Sequence, residues 1–62
     1  MNAGQRHTVF SHYFFARPEV RLKHRHDAEE RLAHYVAAGK HEKAQLTREI
    51  IAIFNKVDSR DV

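Results

Sequence analysis

The chain has 62 residues, no cysteine and a formal net charge of +3, and these properties exclude several kinds of protein. A chain this short forms one small domain that buries only about 60% of its unfolded surface, so its stability as a monomer is marginal. The absence of cysteine excludes disulfide frameworks and thiolate metal sites. No apolar run approaches the ~20 residues that cross a bilayer, and no signal-peptide core is present, so we expect a soluble cytoplasmic protein without membrane contact.

The charge is distributed unevenly along the chain. Residues 1–25 carry five basic side chains against Glu19 alone, whereas residues 26–62 carry six basic and seven acidic side chains. An anionic partner is therefore expected to bind the first half of the chain.

The N-terminal part of the chain divides into two segments. Residues 1–7 are small and polar without periodicity, which predicts a flexible arm. Residues 8–16 hold most of the aromatic side chains, and as a helix they would place Phe10 and Phe14 on one apolar face at i, i+4. As a strand their composition also fits, but the chain offers no partner strand, so this alternative requires a second chain. The helix is favoured, and the strand alternative stays open.

Pro18 marks the start of the first long helix. The residue before a proline is pushed out of the α region, so the chain is expected to bend at Arg17. Proline suits the first helical position, and the acidic Glu19 in the first turn suits the macrodipole. A helix is predicted over residues 18–38, and Gly39 supplies the stop and the turn.

A second long helix is predicted over residues 41–57, followed by a polar tail at 58–62. Its apolar residues recur at i, i+4, i+7, i+8 and i+11 from Leu46, which is the pattern of one helix face. A thinner face on the first helix matches it, so the two helices are expected to pack antiparallel. The predicted core and oligomer residues are Phe10, Tyr13, Phe14, Leu32, Tyr35, Val36, Leu46, Ile50, Ile51, Ile53, Phe54 and Val57.

Ile51 lies off the Leu46 face, beside Ala44 and Thr47. A second apolar face on the same helix, together with the thin cover from the first helix, indicates self-association. The predicted fold is therefore all-α, a helical hairpin with a short N-terminal aromatic helix that a homodimer completes.

The beginning of the first long helix breaks a rule of helix electrostatics. Arg21, Lys23 and Arg25 lie near the positive end of the macrodipole, where an exposed cation costs about 0.3–1 kcal/mol. Such violations are more common at functional sites. The alternative is an ordinary solvated face in which Arg25 pairs with Glu29 at i, i+4. The predicted partner-binding surface consists of Arg17, Arg21, Lys23, His24 and Arg25.

Six histidines in one short chain raise the question of a metal site. His26, Glu30 and His34 share one side of the helix at i, i+4, i+8, a spacing that can chelate zinc or nickel. That side faces away from the predicted core and is poorly preorganised, so no metal or other cofactor is predicted, and these three remain the only candidates.

Catalysis has little support in the sequence. The serine and threonine hydroxyls have no histidine and acid at a recognisable spacing. A hairpin of this size also cannot enclose the roughly 300 Å³ that small-molecule pockets need. We therefore expect neither an enzyme nor a small-molecule substrate.

The order of the segments also resembles a known family. The segment TVFSHYF, a helix, a glycine turn and a helix that begins LTREIIAIF is similar in layout, over residues 8–57, to the ribbon-helix-helix family of dimeric DNA binders. In that family paired strands read the major groove. The resemblance implies that Ser11, His12 and Arg17 approach DNA.

Two functions follow from these observations. The first is a small non-enzymatic regulatory or adaptor protein that binds another protein through the basic start of its first long helix. The alternative is a dimeric DNA-binding regulator of the ribbon-helix-helix type. Charge alone does not separate an acidic protein groove from a phosphate backbone.

Overall fold

The computed structural model describes residues 1–60, which form three helices. These are α1 (Ala3–Phe14), α2 (Pro18–Ala37) and α3 (His41–Arg60). Residues 1–60 contain no strand, so the predicted all-α fold is confirmed and the strand alternative for residues 8–16 is wrong. The predicted hairpin corresponds to α2 and α3, and α1 packs on α3.

Helix α1 begins five residues earlier than the sequence pattern predicted. The Asn2 side chain accepts a hydrogen bond from the Gln5 backbone N–H at 2.8 Å, and the Gln5 side chain accepts one from the Asn2 N–H at 3.1 Å. This reciprocal pair is a capping box, which satisfies two backbone donors that a helix start otherwise leaves open. The predicted flexible arm over residues 1–7 and the helix start at Thr8 are therefore wrong.

The turn between α2 and α3 depends on Gly39. Helix α2 begins at Pro18 as predicted and ends at Ala37, one residue earlier than predicted. Gly39 has a φ of 71°, and the backbone N–H groups of Gly39 and Lys40 donate to the carbonyls of Val36 and Tyr35 at 3.1 and 2.9 Å. This Schellman arrangement satisfies the last carbonyls of α2 and reverses the chain.

Two glycine substitutions are expected to change stability in opposite directions. Gly39→Ala forces a side chain into left-handed backbone, so we expect the free energy of unfolding to fall by about 1 kcal/mol. No atom lies within 4 Å of the added Cβ, so the backbone alone causes this loss. Gly4→Ala, inside α1, is the matched control and is expected to raise the free energy of unfolding by about 0.5 kcal/mol. Urea denaturation followed by circular dichroism measures both values, and a Gly39→Ala variant as stable as the natural protein would contradict the expectation.

Helix α3 extends three residues beyond the predicted range 41–57 and ends at Arg60. The predicted polar tail at 58–62 is therefore wrong as far as residue 60, and residues 61 and 62 lie outside the described residues. The cause is tertiary, because side chains from both other helices hold Asp58 in the last turn of α3.

The core lies where α1 packs along the C-terminal half of α3. Tyr13, Phe54 and Val57 are buried and form its centre, and the half-buried side chains packed against them are Val9, Phe10, Ala28 and Ile50. The start of α1 lies near the middle of α3 and its end lies near the end of α3. Helices α1 and α3 therefore run parallel, whereas α2 runs antiparallel to α3.

The face of α3 that packs inside the chain includes Phe54 and Val57 of the predicted face, but it extends to one side and leaves Leu46 outside. Ala44 and Thr47 are buried, whereas Leu46 is 43% exposed. The Thr47 hydroxyl donates to the Lys43 carbonyl at 2.8 Å, so this polar residue is buried without an unsatisfied group. The prediction that Leu46 is a core residue is therefore wrong.

The remaining predicted core and oligomer residues fall into three groups. Tyr13, Phe54 and Val57 are buried, as predicted. Val36 and Phe14 are exposed to 53% and 37%, so their placement in the core is also wrong. The half-buried members of the set are Phe10, Leu32, Tyr35, Ile50, Ile51 and Ile53.

The face that indicated self-association lies largely inside the chain. Ile51 is half-buried, and Ala44 and Thr47 are buried, with Thr47 beside Asp27, Ala28 and Arg31 of α2. The argument for dimerisation from this face is therefore wrong, and the homodimer itself stays a prediction.

Candidate functional site

Arg21, a member of the predicted basic surface, binds the end of α1. Its Nε donates to the Tyr13 carbonyl at 3.0 Å, and its terminal nitrogen donates to the Phe14 carbonyl. The guanidinium carbon also lies 5.7 Å from the centroid of the Tyr13 ring. Arg21 therefore satisfies carbonyls at the negative end of α1 and contributes to the fold.

Arg25 is held in a second intramolecular network. Its Nη1 lies 2.9 Å from Asp58 Oδ2, its Nη2 donates to Asn55 Oδ1, and its Nε lies 3.8 Å from Glu29 Oε1. The predicted pairing with Glu29 is thus present, although the contacts with α3 are closer. The Tyr13 hydroxyl also donates a hydrogen bond to the Asp58 carboxylate and lies 2.9 Å from Oδ2 and 3.1 Å from Oδ1. One carboxylate therefore joins all three helices.

Tyr13 is the centre of this network and of the core. It is 2% exposed, and its ring stacks on Phe54 with centroids 4.1 Å apart. Burial raises the pKa of Tyr13 above its ordinary value of 10.0. The hydrogen bond to Asp58 raises it further, and Arg25 opposes the rise. The hydroxyl consequently keeps its proton and acts as a donor that fixes α1 against α3.

The predicted partner-binding surface is therefore divided. Arg21 and Arg25 are half-buried and engaged, whereas Arg17, Lys23 and His24 are exposed. Phe15, in the link between α1 and α2 and two residues before Arg17, is 81% exposed. We call Phe15, Arg17, Lys23 and His24 the corner surface. Sequence reasoning assigned no role to Phe15, because a run of aromatic residues does not show which ring the chain leaves outside.

The row of phenylalanines continues from the corner along α1. Phe15 meets Phe14 edge to face with centroids 5.1 Å apart, and Phe14 stacks with Phe10 at 5.8 Å. Phe10 in turn lines a groove of about 390 Å³ between α1 and α3. The corner surface and this α1–α3 groove are therefore joined by one row of aromatic side chains.

The α1–α3 groove has an apolar floor and a mainly basic rim. The residues that line it are Arg6, His7, Phe10, Glu49, Ala52, Ile53 and Lys56. Its one acidic residue, Glu49, lies 3.4 Å from the N-terminal ammonium and 3.7 Å from Arg6. The arrangement suits a ligand that offers apolar groups to the floor and negative charge to the rim. Sequence reasoning missed the groove because it placed Arg6 and His7 on a flexible arm.

The candidate metal ligands lie on the exposed side of α2. His26 Nε2 is 3.1 Å from Glu30 Oε1, and both side chains are more than two-thirds exposed. The ring of His34 lies 6.0 Å from that of Tyr35. Within residues 1–60 no group of three or more side chains is placed to hold a metal ion.

Three hydroxyl groups that could have served as nucleophiles are bound by their own helices. Thr8, Thr47 and Ser59 each donate to the carbonyl four residues earlier, at 2.8–3.0 Å. Ser11 is half-buried on α1, and its hydroxyl lies 3.5 Å from His7 Nε2. The hydroxyls of Thr8, Thr47 and Ser59 thus hydrogen-bond to the backbone of their own helices.

Among the described residues, no helix has the length and the apolar character that crossing a bilayer requires.

No protein-family model matches the chain, and no curated protein or solved structure is significantly similar to it.

Proposed function

We propose that this protein is a small non-enzymatic adaptor or regulator that acts in the cytoplasm by binding an acidic surface of another protein. The observation that carries the proposal is the corner surface, where Phe15 is 81% exposed two residues before the exposed cation Arg17, and Lys23 and His24 are exposed in the first two turns of α2. A large exposed ring contributes apolar area to an interface, and cations next to it select an acidic partner.

The distribution of charge supports the same proposal. The N-terminal 25 residues hold one acidic side chain, Glu19, against five basic ones. Two of these cations, Arg21 and Arg25, are engaged within the fold, so Arg17 and Lys23 are the charges that the corner offers to a partner. Two cations with an aromatic side chain are typical of a protein interface, whereas duplex DNA is bound by many phosphate contacts.

DNA binding of the ribbon-helix-helix type is not part of the proposal. In that layout residues 8–14 would form a strand that pairs with a second chain and enters the major groove. These residues lie in α1, and Tyr13 among them is buried against Phe54. The main-chain donors and acceptors that strand pairing uses are taken by the helix.

Affinity capture with matched variants tests the proposal. We expect the natural protein to retain an acidic protein and the double variant Phe15→Ala/Lys23→Glu to bind the purified partner at least about tenfold more weakly. Lys40→Glu, at the opposite end of α2, makes the same charge change and is expected to leave the affinity unchanged. Equal binding by all three proteins overturns the proposal. So does salt-sensitive binding of random duplex DNA that Lys23→Glu abolishes, because that result indicates a nucleic-acid partner.

A further inference from the structure

We propose that the α1–α3 groove binds an amphipathic helix of a partner protein, with acidic residues on both sides of the helix's apolar stripe. This inference rests on the proposed function and names the segment of the partner that is recognised. Helices that bind in grooves place apolar side chains at i, i+3, i+4 and i+7 on the floor, and flanking charges meet the rim.

The floor of the groove provides the apolar part of the match. Phe10 and Ile53 are half-buried, and Ala52 is exposed between the two walls. The volume of about 390 Å³ lies at the lower end of the range for ligand sites. It is too small for a whole helix but suits the few side chains that one face of a helix presents.

The rim of the groove provides the charge. Three basic residues line the rim, Arg6, His7 and Lys56, and one acidic residue, Glu49. The Arg60 guanidinium lies 5.5 Å from the centroid of the Phe10 ring. Glu49 is already close to the N-terminal ammonium and to Arg6. Lys56 is exposed, and no carboxylate among residues 1–60 lies within 4 Å of it. The rim therefore retains positive charge for a partner.

Charge and shape also select among the possible occupants. A second copy of this chain carries the same net charge of +3, so electrostatic repulsion disfavours it relative to an acidic segment. A bilayer surface needs an apolar face that protrudes, whereas the floor here lies between two helices and Glu49 stands at its edge. An acidic helix is the occupant that satisfies both the concave floor and the basic rim.

A synthetic helix provides the probe for a binding experiment. The probe is a stapled 18-residue peptide with leucine at i, i+3, i+4 and i+7 and glutamate on the flanks. A second peptide has the same composition with the leucines dispersed. Fluorescence anisotropy measures the affinity of each, and we expect the first peptide to bind at least about tenfold more tightly, because only it presents an apolar stripe.

Variants of the groove locate the binding site. Ala52→Glu and Lys56→Glu change exposed positions, and each is expected to weaken binding of the first peptide by about tenfold. Ala33→Glu on α2 and Arg48→Glu on α3 make the same changes at exposed positions outside the groove and are expected to stay within about twofold. Lys56→Ala, which removes the charge without reversing it, is expected to give a smaller loss in the same direction. Circular dichroism verifies that each variant keeps its helix content.

Several results overturn the inference. If the protein binds the two peptides equally tightly, it recognises only their charge. If the groove variants bind the first peptide as tightly as the control variants do, the peptide binds outside the groove. If Lys56→Glu abolishes binding to vesicles that contain anionic lipid while the peptide does not bind, the groove serves a membrane. None of these results depends on Phe15 or Lys23, so the capture experiment on the corner surface decides the proposed function separately.

Discussion

Tyr13→Ala is expected to lower the free energy of unfolding by about 3–5 kcal/mol. Tyr13 is 2% exposed, its ring stacks on Phe54 at 4.1 Å, and its hydroxyl is bound by Asp58. Removing a buried aromatic side chain costs about 3–5 kcal/mol. A domain of this length has a total stability of about 3–9 kcal/mol at typical values per residue, so one substitution removes much or all of it. The far-UV circular dichroism signal and its urea dependence measure the loss.

Phe15→Ala is the matched control for this prediction. It also removes an aromatic ring near the end of α1, but Phe15 is 81% exposed. Substitutions on the surface usually change the free energy of unfolding by less than about 0.5 kcal/mol. We therefore expect Phe15→Ala to unfold at nearly the same urea concentration as the natural protein. Equal midpoints for Tyr13→Ala and Phe15→Ala would show that Tyr13 is not the centre of the core.

The parts of the fold that sequence patterns predicted are those with local causes. Pro18 starts α2 because its ring fixes φ and its missing N–H costs nothing in the first turn. Gly39 terminates α2 and forms the turn to α3, because glycine adopts a φ of 71° without strain. Asn2 and Gln5 form a capping box that could also have been read from the sequence. The predicted helix instead started at Thr8, because the aromatic residues that suggested a helix lie only within residues 8–16.

The orientation of α3 had no local signal. Periodicity defines an apolar face around Leu46, but it does not show how closely a neighbouring helix can approach. Ala44 and Thr47 are buried together with Phe54 and Val57, so the buried face of α3 is wider than the predicted one, and of the predicted face Leu46 is left exposed. The α1–α3 groove was missed for a related reason, because its walls belong to helices that are far apart in the chain.

Arg21 and Arg25 form an electrostatic anomaly at the start of α2. Cations there oppose the macrodipole, and this anomaly predicted a partner-binding role for both arginines. The anomaly has a structural cause, since Arg21 satisfies carbonyls at the end of α1 and Arg25 pairs with an acid 33 residues away. Local sequence shows that a rule is broken, whereas only the packed helices show which group compensates.

Asp58 is expected to stabilise the fold although its own helix disfavours it. A carboxylate in the last turn of a helix faces the negative end of the macrodipole, at a cost of about 0.3–1 kcal/mol. Its hydrogen bonds to the Tyr13 hydroxyl and to Arg25 exceed that cost, because bonds to charged groups contribute about 1.5–3 kcal/mol each. We therefore expect Asp58→Ala to lower the free energy of unfolding by about 2 kcal/mol. Glu30→Ala, which removes a carboxylate from an exposed pair with His26, is expected to lower it by less than about 0.5 kcal/mol.

A double-mutant cycle separates the hydrogen bond between Tyr13 and Asp58 from the rest of the network. Tyr13→Phe keeps the stacked ring and removes only the hydroxyl, so we expect a loss of about 1.5 kcal/mol. Once Asp58 is alanine the hydroxyl has lost its acceptor, and the combined variant is expected to lose about 1.5 kcal/mol less than the sum of the two single losses. Urea denaturation of the four proteins gives the coupling. Additive losses would show that the hydroxyl and the carboxylate do not act together, and that the ring alone positions α1 on α3.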